Sequence, residues 1–264
     1  MPQTRQFSNL AAQQAYETLA PVYDDFTWNH DYERWVRSLL PPLQRRGLSG
    51  NRLLDVACGT GKSFLPMLER GWEVTACDIS PSMLALAQAK AGDAARLSIA
   101  DMQRLPTFGE FDLVWSLGDA INYQLSFEEL VNALSGMGAN LADGGLLLFD
   151  VNGLACYRQF FAQTYEVERG GRRLIWRGQA AVDVAPGSIC EARFDVEDPS
   201  GEDEVEPHVH RQRHHPEAEV LQALAEAGLE SLDVYGHGHD AVLQQPFDDQ
   251  THVKSIHVAR RGRR

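Results

Sequence analysis

Asp55, Asp78 and Asp101 follow one another at intervals of 23 residues, and each ends a short apolar run of the kind that forms a strand. A carboxylate at the carboxyl end of a strand offers two acceptor oxygens. In a doubly wound sheet the second such acid, here Asp78, meets the diol of a bound ribose. Ser80 and Pro81 behind it also read as the cap and first residue of a helix, and both readings hold together. Asp101 alone would pass for a turn aspartate. Three acids at three successive strand ends argue for a shared ligand.

Between the first two acids runs Asp55-Val56-Ala57-Cys58-Gly59-Thr60-Gly61-Lys62-Ser63. A strand that turns on two glycines lets the backbone approach a ligand closely, with the free amides of the next helix start facing it. Gly61-Lys62-Ser63 has the ending of a P-loop, but that loop needs glycine where the β-branched Val56 stands. The dinucleotide fingerprint G-x-G-x-x-G/A requires a small residue at Phe64. Neither motif fits, and a glycine turn without a ligand is the bland alternative.

A fourth strand, Phe111 to Ser116, opens onto Leu117-Gly118-Asp119-Ala120-Ile121-Asn122-Tyr123. Strand carboxyl ends line the ligand crevice of an open α/β sheet, so this loop is the expected seat of a substrate. Asp119, Asn122 and Tyr123 supply an acceptor, an amide and a phenol to orient an amine or hydroxyl, although Asx residues and glycine also simply make turns. Farther on, strand alternation would put His208, His210 and His214 on one face, a three-nitrogen zinc set. No carboxylate or cysteine completes it, so no metal is expected, and a pocket wall with His210 or Arg213 touching substrate is preferred. His237-Gly238-His239 carries the same ambiguity.

Leu54 to Gly61 resembles the first motif of the class I S-adenosylmethionine-dependent methyltransferases, commonly L-D-[VLI]-[GA]-[CS]-G-T-G, with Ala57 where many relatives have glycine. The resemblance extends in order along nearly the whole chain. It implies S-adenosyl-L-methionine as cofactor, Asp78 with Ile79 at the ribose, Asp101 accepting from the adenine amino group, and Met102 against the ring. Tyr23, in Tyr23-Asp24-Asp25-Phe26, falls where relatives place a lid tyrosine, but an aromatic at helical spacing reads equally as core. The cofactor set is thus Tyr23, Asp55, Ala57, Gly59, Gly61, Asp78, Ile79, Asp101, Met102 and Leu117. The substrate set is Asp119, Asn122, Tyr123, His210 and Arg213, with Tyr23, Asp119 or His210 as the catalytic base if one is needed. The layout resembles small-molecule N-methyltransferases of the amino-sugar or glycine type. Alternatives are O-methylation of a small metabolite, a non-catalytic cofactor-binding protein, or a nucleotide-using enzyme resting on Gly61-Lys62-Ser63.

These residues need an α/β scaffold: a doubly wound, mostly parallel seven-stranded sheet with an N-terminal helical cap and an antiparallel β insertion. Residues 1–50 form the cap, 51–159 the cofactor-binding core, 160–213 the insertion over the substrate site, and 214–264 the rest of the core. In the cap, Pro41-Pro42 should kink or interrupt the second helix. A helix is expected from Lys62 to Arg70, and a turn at Asp143-Gly144-Gly145. In the insertion the period changes to two, and Gly170-Gly171, Pro186-Gly187 and Pro199-Ser200-Gly201 divide it into three or four strands.

Composition narrows the function classes. With 264 residues and 44% hydrophobic content the chain can build one sizeable core plus an insertion. A formal charge of −13 disfavours a nucleic-acid partner, which normally needs a basic face. The basic run Arg260-Arg261-Gly262-Arg263-Arg264 reads as a frayed terminus. No run approaches the ~18 apolar residues of a membrane span, and no signal core is seen, so a cytoplasmic enzyme, possibly a homodimer, is expected. The four cysteines, Cys58, Cys77, Cys156 and Cys190, have neither zinc nor disulfide spacing and read as reduced thiols.

Overall fold

The computed structural model describes residues 9–198, 207–238 and 241–262. Helix α1 spans Leu10–Phe26, capped by the Asn9 side chain, and α2 spans Tyr32–Arg45, capped by Asp31. The two prolines do not interrupt α2. They sit in its last turns, where the buried stripe Trp35, Val36, Leu39, Pro42 and Leu43 holds the helix against the sheet.

The core then alternates strand and helix: β1 (Arg52–Val56), α3 (Leu65–Glu69), β2 (Glu73–Asp78), α4 (Pro81–Ala91), β3 (Ala95–Ile99), β4 (Phe111–Ser116), α5 (Phe127–Ala139) and β5 (Leu141–Asn152). The helix after the glycine turn is shorter than expected because the chain spends Gly59 to Phe64 in turns, and Pro66 favours a fresh helix start. The turn expected at 143–145 is a bulge inside β5: Gly144 has φ +78°, and the pairing with β4 shifts register between Phe111 and Leu113.

A short helix α6 (Leu154–Cys156) and a π turn (Tyr157–Phe161) lead into four antiparallel strands, β6 (Thr164–Arg169), β7 (Arg172–Gly178), β8 (Ile189–Glu197) and β9 (His208–Arg213). The turn expected at Pro199-Ser200-Gly201 lies outside the described residues. The chain closes with α7 (Glu217–Glu226), β10 (Leu229–His237), β11 (Leu243–Gln244) and β12 (Lys254–Arg261). Arg260 and Arg261 therefore belong to a strand, and Arg260 pairs with Glu230 at 2.9 Å; Arg263 and Arg264 lie outside the described residues.

The main sheet has the order β11-β10-β12-β5-β4-β1-β2-β3, parallel from β3 to β5 and antiparallel beyond. It holds eight strands rather than seven, because Leu243–Gln244 adds a two-residue edge to Gly236 and His237. Strand alternation divides the core: Leu53, Trp115 and Leu148 face α2, while Leu54, Val114 and Phe149 face α5 and α7. Helix α1 lies elsewhere. Its Leu19, Ala20 and Val22 pack against Met83 of α4 and Leu174 and Phe194 of the second sheet, so it joins that sheet to the parallel strand ends. Among the described residues no helix is long and apolar enough to cross a membrane.

Candidate active site

The carboxyl ends of β1, β2, β3 and β4 open onto a cavity that α1 and the start of α2 border on its other side. Of the residues expected from sequence, Tyr23, Ala57, Gly59, Asp78, Ile79, Asp101, Met102, Leu117 and Tyr123 line it. Asp55, Gly61, Asp119, Asn122, His210 and Arg213 stand behind the lining.

The glycine turn explains itself physically. Ala57, Gly59 and Gly61 have φ of +61°, +55° and +86°. A side chain at Gly61 would meet the ring of fully buried Phe64 at 2.8 Å. At Gly59 a side chain would meet no protein atom, so that position is left open toward the cavity it lines. Lys62, the residue that imitates a P-loop lysine, spends its ammonium on Thr27, 2.6 Å from the carbonyl oxygen and 3.1 Å from the hydroxyl. Thr60 donates to Asp24 at 2.6 Å, so α1 is tied directly to the glycine turn.

The three acids differ in what they hold. Asp78 accepts the Gly59 amide at 2.8 Å on one oxygen and the Ser80 amide at 2.9 Å on the other, which fixes both oxygens at the cavity wall. Burial raises its pKa to about 6 against the pull of those amides. Asp101 accepts the Gln103 amide at 3.0 Å. Asp55 is fully buried beneath the turn, where its Oδ2 accepts from Ser63 at 2.5 Å and its Oδ1 has no hydrogen-bond partner. Burial pushes it up to about 7. Cys58 is a wall residue whose thiol burial pushes far up, so it stays protonated and unreactive.

The side toward the second sheet is aromatic. Tyr16, Tyr23, Tyr32 and Tyr123 all line the cavity, and burial raises the pKa of each phenol. Tyr16 donates to the Tyr123 oxygen at 3.2 Å, and that oxygen lies 2.7 Å from Nδ1 of His210. Burial lowers the His210 pKa to about 3, with His208 adding to it, so the imidazole is neutral and shares one hydrogen bond with Tyr123 through Nδ1.

Asn122 is committed elsewhere. It donates to the Arg213 carbonyl at 2.9 Å and accepts the Asn152 amide at 2.9 Å, binding the loop after β4 to β9 and β5. Arg213 pairs with Glu219 at 2.5 Å. His214 bonds the Gly187 amide at 3.1 Å and Asp249 at 3.2 Å, and among the described residues no group of three His, Cys, Asp or Glu stands ready to hold a metal ion. His237 lies 5.5 Å from Trp35, ring to ring; His239 lies outside the described residues. Sequence reasoning missed Tyr16, Tyr32 and Lys62 as wall residues. The first two were visible only as helical apolar spacing.

The family of methyltransferase domains matches residues 53–145, the span from β1 into β5. A protein of Geobacillus sp. (strain WCH70) that bears a methyltransferase name is 32% identical over 226 residues, 83% of this chain and 90% of that one. The chain is an S-adenosylmethionine-dependent methyltransferase. Among solved structures, the fold is shared with an S-adenosylmethionine-dependent methyltransferase from Clostridium acetobutylicum ATCC 824, at 21% identity and TM-score 0.77, covering 94% of this chain and all of that one (100%). The sugar N-methyltransferase KedS8 from Streptoalloteichus sp. ATCC 53650 is 27% identical with TM-score 0.70, covering 91% of this chain and 93% of the other. The methyltransferase uses S-adenosylmethionine, and the cavity suits that cofactor: an open glycine, a two-oxygen acceptor at Asp78 and an apolar strip at Ile79, Met102 and Leu117.

Proposed function

We propose that this methyltransferase moves the methyl group of its cofactor to a nitrogen of a small-molecule amine held between the tyrosines and the loop after β4. The observation that carries this is the convergence of four phenols, Tyr16, Tyr23, Tyr32 and Tyr123, on the cavity that Asp78 and Asp101 also line. Because Tyr16 donates its hydrogen bond to Tyr123, the Tyr16 oxygen keeps its lone pairs for an N–H donor. Ring faces also favour the cation that a methylated amine becomes. The likeness to a sugar N-methyltransferase supports the same reading.

The bound cofactor supplies an electrophilic methyl on a sulfonium, so the chain's task is to align the nitrogen with it and exclude water. We assign the ribose to Asp78, the adenine to Asp101, Met102 and Ile79, and a wall of the methyl site to Tyr23 and Leu117. Asp119 is the proposed acceptor for the proton that the amine gives up. Its pKa is raised by burial and held back by the Lys254 charge, which suits a group that must take and release a proton. The antiparallel sheet β6–β9 we assign as the roof of the acceptor site.

The test is incubation with S-adenosylmethionine and matched panels of small primary amines, secondary amines and alcohols, read by mass spectrometry for added methyl groups. Methylated amines are expected. Turnover confined to alcohols would sink the nitrogen assignment.

A further inference from the structure

Asp150 plays no part in that reading and Lys254 enters it only through its charge, yet the acceptor loop hangs on both. Asp150, fully buried at the carboxyl end of β5, accepts the Gly118 amide at 2.7 Å on one oxygen, and the Asp119 amide at 2.9 Å on the other. The Lys254 ammonium donates to that second oxygen at 2.6 Å. Strand register dictates the meeting. Ser116 of β4 pairs with Phe149, which brings Asp150 beside Leu117, and Lys254 of β12 pairs with Asn152 two places along.

The loop needs such a hold. Gly118 and Asp119 are consecutive left-handed residues, φ +87° and +63°, and an aspartate adopts that conformation at a cost. Successive amides so arranged form a concavity for an acceptor group, and here both amides donate to Asp150. The Asp119 side chain is held as well, because Asn152 donates to it at 3.1 Å and also bonds Gln212 of β9 at 3.0 Å. Lys254 packs its charge 5.6 Å from the ring of Trp35 in α2.

We propose that Lys254 and Asp150 are positioning residues that hold the Leu117–Asp119 loop, and with it the Asp119 carboxylate, against the methyl acceptor. The inference rests on that loop meeting the acceptor, and not on the acceptor being nitrogen. Burial opposes the Lys254 charge, but Asp150 and then Asp119 raise its pKa, so it remains an ammonium. Other titratable groups facing this cluster are Cys156, Tyr16, Tyr23, Tyr32, Tyr123, Tyr157 and His30. Without the ammonium, the charge that holds the Asp119 pKa back is gone, and Asp119 keeps its proton to higher pH.

The experiment compares wild type with Lys254→Met, Lys254→Gln and Lys254→Arg, using whichever acceptor the panel yields, with S-adenosylhomocysteine titrated calorimetrically into each. Lys254→Met should lose turnover about 100-fold, the effect of misplacing a reacting group by about an ångström, while keeping cofactor affinity within about threefold. Its acid limb in the pH profile should move up by about one pH unit, and Lys254→Arg should restore the wild-type profile. Lys254→Gln keeps a donor to Asp150 and serves if the methionine variant does not fold; the same loss and shift are expected from it. An unmoved pH profile, or cofactor affinity falling in step with turnover, would overturn the proposal. A wild type active only on alcohols would defeat the nitrogen reading and leave this test intact.

Discussion

The two halves of the cavity are built on different plans. On the side assigned to the cofactor, three parallel strands carry an aspartate at or next to their carboxyl ends, and Asp78 is held by backbone amides of adjacent turns. A backbone-built site of this kind is fixed by local geometry. On the acceptor side, Tyr16 and Tyr23 come from α1, Tyr32 from α2, Tyr123 from the loop after β4 and His210 from the second sheet. Side chains from four separate elements meet there, so each can change without unfolding a strand end. On the proposed assignment, the first half holds the cofactor and the second the acceptor.

If that division is right, damage to the two halves should separate in binding and turnover. The largest effect is expected from Asp78→Ala, which removes a carboxylate that accepts two backbone amides and that we assign to the cofactor's diol. Loss of charge-assisted hydrogen bonds of about 2–4 kcal/mol should weaken S-adenosylhomocysteine binding about 30- to 1000-fold in calorimetry. Wild-type affinity in this variant would end the ribose assignment. Next comes Asp119→Asn, nearly isosteric and still able to accept from Asn152. Turnover should fall about 100-fold, the usual scale for removing a proton acceptor, with cofactor affinity within about threefold of wild type. Equal damage to both quantities would mean the halves are one unit.

The same division governs what was legible in the sequence. Leu54 to Gly61, Asp78 and Asp101 could be read because a strand, a glycine turn and a strand-end acid leave a local signature, and all but Leu54, Asp55 and Gly61 of that set reach the cavity wall. Phe64, which spoils the dinucleotide fingerprint, is also the reason Gly61 must be glycine. Tyr16 and Tyr32 were hidden because an aromatic on a helix looks the same whether it faces a core or a cavity. Asn122 misled for the opposite reason: a polar loop residue looked free, whereas tertiary contacts had already consumed its amide. The eighth strand, Leu243–Gln244, exists only through pairing with β10 and carries no pattern of its own.

A subtler separation lies in pH. On the proposed ribose assignment the diol binds ionised Asp78, whose pKa is raised to about 6, so below that pH each unit should weaken S-adenosylhomocysteine about tenfold, and affinity should level off above about pH 7. The sign follows from the group being an acid that binds only as its anion. In Asp78→Asn, calorimetry between pH 5 and pH 8 should show weak binding with this dependence gone. Persistence of the slope would move its origin to another group.

Asp55 gives the smallest effect, and it concerns stability rather than function. Burial raises it to about 7 in the folded protein, with the Ser63 hydrogen bond pulling the other way. The folded state therefore holds a proton that the unfolded chain has already released, which favours folding at low pH and is lost as pH rises through about 7. Between pH 6 and 8.5 the apo protein should lose about 1 kcal/mol from this group, measured as a falling urea midpoint. Asp55→Asn cannot ionise and should remove that decline while gaining stability at the alkaline end. A variant as pH-dependent as wild type would place the proton elsewhere, and Asp55 would then be an ionised acid stabilised beneath the glycine turn.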